Sequence, residues 1–153
     1  TKLDFEVHLM VSNPEKVIPF WLKTKALRFL IHIESADNPD ILFNQIKAGG
    51  KELGFVLNPE TDYSAIEPYL DAASLVQFMT VAPGFYGSAF LPEVLEKMRT
   101  FHGRYPGKII QADGGINPET VKLVKEAGAS RAAVGSYIFK SGNIGKAMEE
   151  LNI

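Results

Sequence analysis

Short runs of apolar residues alternate with longer amphipathic stretches along the whole chain. The apolar runs fall at residues 5–11, 29–33, 53–57, 75–81, 108–112 and 132–134. Several are almost continuously apolar, the pattern of strands buried on both faces of a parallel sheet. Between them, the helical period predicts helices near 14–24, 39–48, 63–70, 91–102, 118–127 and 144–151. Asn13-Pro14-Glu15, Asn38-Pro39-Asp40 and Asn117-Pro118-Glu119 read as helix starts. In each, Asn caps the free N–H groups, Pro takes the first helical position, and an acid meets the positive helix end. Before the 63–70 stretch, Thr61 or Asp62 is the better cap. Gly49, Gly103 and Gly128 stand where helices should stop.

Repeated strand–helix units in one sheet require right-handed crossovers. The predicted fold is therefore α/β, a TIM-barrel-like parallel (β/α) repeat of about six units forming a single domain over residues 1–153. A closed eight-stranded barrel typically takes about 250 residues, so a truncated or compact barrel is expected. Six such strands leave two apolar edges, which predicts a homodimer or larger assembly covering them.

The 153 residues include no cysteine and carry a formal net charge of −2. Thiolate metal sites and disulfides are excluded, leaving His, Asp and Glu as strong ligands. With no long basic run, nucleic acid is not an expected partner. No apolar run approaches the roughly 20 residues that span a bilayer, so the expectation is a cytoplasmic protein without a membrane partner.

In parallel α/β folds, chemistry collects at the C-terminal ends of strands. The richest end is Gln111-Ala112-Asp113-Gly114-Gly115-Ile116-Asn117-Pro118, where an apolar run delivers one carboxylate and two glycines into a helix start. Glycines admit a ligand to the backbone, and the N–H groups beyond them suit an anion. Gly135 and Ser136 end the last run in the same way. The loop Gly84-Phe85-Tyr86-Gly87 is a further candidate phosphate nest. Asp113 ends an apolar strand, where an ionisable group is costly without partners, and is the leading functional candidate. His8 could ligate a divalent metal, although a histidine on an apolar strand is more often a hydrogen-bonded core residue. His32 takes that bland reading more firmly, and His102 reads as a solvated helix-end residue. Met10 and Met79 lie at strand ends, where core packing is the default.

Taken together, these segments resemble the ribulose-phosphate 3-epimerase family. The resemblance is carried by Val7-His8-Leu9-Met10-Val11-Ser12-Asn13-Pro14, Val56-Leu57-Asn58-Pro59-Glu60-Thr61 and Met79-Thr80-Val81-Ala82-Pro83-Gly84-Phe85-Tyr86-Gly87. It continues through Asp113-Gly114-Gly115-Ile116-Asn117-Pro118 and Gly135-Ser136-Tyr137-Ile138-Phe139. It implies a TIM barrel that moves a proton beside a ketone, using two carboxylates and a divalent metal such as zinc, iron, manganese or cobalt. Carried onto this chain, His8 resembles a metal ligand, and Asp113 resembles both a ligand and one acid/base. Met10 and Met79 resemble substrate-lining side chains. Gly84, Phe85, Tyr86, Gly87, Gly114, Gly115, Gly135 and Ser136 resemble the grip on the phosphate of a phosphorylated ketose, or on inorganic phosphate. The family's His-x-Asp-x-Met-Asp-Gly segment, with two further ligands and the second acid/base, is not found here, and the chain begins where the family's third unit begins. Near Gly84, Ala82, Tyr86 and Ser88 stand where the family usually has Asn, Gly and Gln. The expectation is weak or absent epimerase activity unless another chain completes the site; the competing reading is a non-catalytic phosphosugar-binding or structural barrel remnant.

Overall fold

The computed structural model describes residues 2–84 and 87–152. Each predicted apolar run forms a strand: β1 (Glu6–Leu9), β2 (Arg28–His32), β3 (Glu52–Leu57), β4 (Ala73–Met79), β5 (Ile109–Asp113) and β6 (Arg131–Ala133). They follow one another in the sheet in chain order. The β1–β2, β2–β3 and β5–β6 pairs are parallel. The helices are α1 (Pro14–Trp21), α2 (Pro39–Ala48), α3 (Val94–Arg104), α4 (Thr120–Glu126), α5 (Ser136–Phe139) and α6 (Ile144–Glu150). None of the helices described is long and apolar enough to cross a membrane.

The chain forms two compact units, and β4 passes from one into the other. The first holds the residues up to Leu57 together with Thr61–Val76. Every residue of β2 is buried, as a strand covered on both faces requires. On one side Phe43 of α2 meets Phe55 of β3 edge-on at 4.9 Å, and Tyr69 completes the cluster 5.4 Å from Phe43. Fully burying one such ring stabilises the fold by about 1.5–3 kcal/mol. At the N-terminal ends of the strands, Arg28 is 6% exposed. It donates to Glu6 at 2.9 Å, to Glu52, and to the Ser74 hydroxyl at 2.7 Å. Three acceptors around one guanidinium make the buried charge tolerable.

The second unit holds Asn58–Glu60 and the residues from Gln77 onward. Phe78 of β4 packs on Phe101 of α3 with ring centroids 5.5 Å apart. Lys97 lies over the Phe78 ring and donates to the carbonyls of Asn58 and Pro59, both at 2.9 Å.

Local chemistry corrects the predicted helices in three places. The 63–70 stretch is a 3-10 segment, Tyr63–Ala72, started by the Asp62 carboxylate accepting from the Ser64 N–H at 2.8 Å. Pro68 inside it has no N–H to give an α-helical ladder. Gly103 does not stop α3, which continues through it to Arg104. The stop comes at Tyr105, whose following proline disfavours helical geometry. Finally, Asn13 makes no side-chain cap, whereas Asn38 accepts from the Ile41 N–H at 3.3 Å. The α1 acid Glu15 turns instead to the Asp37 N–H at 2.9 Å. Asn38→Ala is therefore expected to cost about 1 kcal/mol in urea unfolding. Asn13→Ala should leave the midpoint unchanged; equal losses would contradict this difference between two identical-looking motifs.

Candidate active site

In the first unit, His8 of β1 and His32 of β2 stand on the same sheet face. His8 pairs in register with Leu30, which puts His32 at the diagonal position. Their Nε2 atoms are 2.8 Å apart and their rings are stacked at 4.9 Å. One of these nitrogens must donate and the other accept. Glu34 lies 3.4 Å from His32 Nδ1, so the other ring nitrogen of His32 faces a carboxylate. His32 is the hydrogen-bonded core histidine expected, but its partner is His8, so His8 does not stand alone. Ligation of a metal through His8 Nε2 would require this contact to open. Met10 lies beyond the end of β1 and is 59% exposed.

In the second unit, the polar face of two neighbouring strands carries the candidate carboxylate. Gln77 and Met79 of β4 share one parity, as do Gln111 and Asp113 of β5. Gln111 donates to Gln77 Oε1 at 2.8 Å, and Gln77 Nε2 donates to Asp113 Oδ2 at 2.9 Å. Gln77 Nε2 also lies 3.7 Å from Met79 Sδ. Gln77 is fully buried and Gln111 is 4% exposed. Neither was a sequence candidate. The signal available was a glutamine inside an apolar run two residues before each candidate, Met79 and Asp113.

The turn after Asp113 is pinned from both sides. Thr80 is fully buried; its N–H donates to the Asp113 carbonyl at 2.8 Å and its hydroxyl to the Gly114 carbonyl at 2.6 Å. Thr120 at the start of α4 donates to the Gly115 carbonyl at 2.8 Å. Asn117 Oδ1 accepts from the Glu119 and Thr120 N–H groups, so the predicted cap forms although α4 begins later. Gly114 and Gly115 adopt φ values of 119° and 65°. A side chain is excluded at Gly114, where a Cβ would come within 2.8 Å of Val81 Cγ1 and closer still to Cγ2. Gly84 and Gly87 also have positive φ, while Gly135 does not and Ser136 opens the short α5. Phe85 and Tyr86 lie outside the described residues.

Among the described residues, no three His, Asp or Glu side chains come together as a metal site. His8 in the first unit and Asp113 in the second are each donors of the right type for zinc, iron, manganese or cobalt, and neither unit alone holds the usual number among its described residues.

The sequence profile of the ribulose-phosphate 3-epimerase family matches residues 1–139. The chain belongs to that family. A cytoplasmic isoform of ribulose-phosphate 3-epimerase from Oryza sativa subsp. japonica is 39% identical over 99% of this chain and 68% of that protein. The ribulose-phosphate 3-epimerase of Bacillus subtilis (strain 168) is 36% identical over 99% of this chain and 72% of its own length. The chain thus spans about two thirds of the length of the epimerases it matches. Among solved structures, a 3-hexulose-6-phosphate synthase superposes with a TM-score of 0.63 at 21% identity, over 90% of this chain and 65% of that one. That likeness shows the fold, a TIM-barrel-like α/β repeat.

Proposed function

We propose that this chain carries the part of a ribulose-phosphate 3-epimerase site in which Asp113 moves a proton at C3 of a ketopentose phosphate. The reading is supported chiefly by one observation: a carboxylate at the C-terminal end of a strand, oriented by a buried amide and followed directly by a turn of two positive-φ glycines. The C3 hydrogen lies beside the C2 ketone, so its removal leaves an enediolate. Asp113 takes the proton as the C3–H bond breaks, or returns one to the same face. Inversion needs a second proton donor on the opposite face, a role given to none of the residues described. The backbone N–H groups at Gly84, Gly87, Gly114, Gly115, Gly135 and Ser136 are proposed to receive the phosphate. Met10 and Met79 are proposed to line the carbon chain. By family resemblance, His8 and Asp113 are each proposed as a donor for a divalent metal, which when bound would polarise a ketone oxygen.

The test is ribulose 5-phosphate in deuterated water with the purified chain, with and without zinc, iron(II), manganese or cobalt(II), followed by NMR. Deuterium appearing at C3 is the expected result, and xylulose 5-phosphate should accompany it only where a second acid is supplied. Absence of both under every metal would overturn the catalytic reading. Phosphate protection against thermal unfolding would then leave a binding protein, and its absence a scaffold.

A further inference from the structure

We infer that Gln77 is the positioning residue for the Asp113 carboxylate and that Gln111 acts through it; this rests on the role proposed above for Asp113. The chain of hydrogen bonds has one direction. An ionised carboxylate only accepts, so Gln77 must turn its NH2 group toward Asp113, which leaves Oε1 to accept from Gln111. Both amides are buried on strands rather than loops, so neither can rotate without leaving a polar group unsatisfied. The same Gln77 nitrogen contacts the sulfur of Met79. One side chain therefore sets the carboxylate that moves the proton and the thioether proposed to face the reacting carbons. An amide suits this task better than a charged donor. It holds the carboxylate in one rotamer without adding a full positive charge to a group that must also bear a proton.

Gln77→Met keeps the length of the side chain and removes the donor. For C3 exchange it is expected to lower kcat about tenfold or more with KM within about twofold, the pattern of lost orientation. Gln111→Met should have a smaller effect, and none beyond Gln77→Met when the two are combined, because it acts through the same amide. A merely structural pair would lower the thermal midpoint while leaving kcat per folded molecule unchanged, and that result would overturn the inference. A second measurement needs no turnover. The Gln77 side-chain NH2 resonances, assigned in labelled protein, should move by about 0.3 ppm or more in Asp113→Ala as a charge-assisted bond is lost. Unmoved resonances would also overturn it. If the wild type exchanges no C3 hydrogen, the acid/base reading fails, and the amide resonances alone decide whether Gln77 holds Asp113.

Discussion

Asp113→Asn should reduce C3 hydrogen exchange by about 10²- to 10⁴-fold, the usual contribution of a positioned general base, while leaving the protein as stable as before. The separation of the two effects follows from the contacts. The Asn amide oxygen can still accept from Gln77 Nε2, which lies 2.9 Å from Asp113 Oδ2. The turn beyond is held by backbone groups, with Thr80 donating to the Asp113 and Gly114 carbonyls. What disappears is the carboxylate charge, and with it the basicity and the donor offered to a metal, so the loss should fall mainly on kcat. Asp113→Ala should behave differently. It strips the buried Gln77 amide of an acceptor, at a cost of about 1–3 kcal/mol, and loses activity as well. Exchange by Asp113→Asn at the wild-type rate would remove Asp113 from the chemistry whatever the fold.

All six apolar runs are strands, and β2, β3 and β4 were the most legible because burial on both faces leaves a strong trace in composition, whereas β1 is half-buried and β6 largely exposed. The glycines beside Asp113 were legible too, since two glycines after a strand-ending carboxylate mark a turn that needs positive φ, and both adopt it; their close packing on Val81 and Phe90 was not legible. What escaped notice shares one physical cause. Gln77, Gln111 and the His8–His32 pair acquire their meaning only from a neighbouring strand, and register between strands is not written in either strand separately. His32 and His8 are 24 residues apart and Gln77 and Gln111 are 34 apart. A local pattern presents each as an isolated polar residue in an apolar run. The helix errors were of the opposite kind. Asn13 and Gly103 were read by residue type, where the backbone geometry around them decided the outcome, and the 63–70 stretch was read by its period without weighing Pro68.

Gly114→Val should be the most damaging single change to the fold near the candidate site, and its cost divides into two parts that can be measured separately. Residues with side chains avoid a φ of 119°, which costs about 1–3 kcal/mol in a fold that enforces it. A Cβ also collides with Val81, which is buried and cannot swing away, adding about 1–3 kcal/mol of overpacking. Together these predict a loss of about 2–6 kcal/mol, or a thermal midpoint lower by about 4–24 °C at 2–4 °C per kcal/mol. Gly87→Ala has positive φ but open space around it, so it should show only the backbone part. Shortening the obstacle, Val81→Ala in the Gly114→Ala background, should recover the steric part and leave the φ part. If Gly114→Ala alone is as stable as the wild type, the turn is looser than these contacts require. The turn proposed to receive a phosphate would then lose the constraint that fixes its shape.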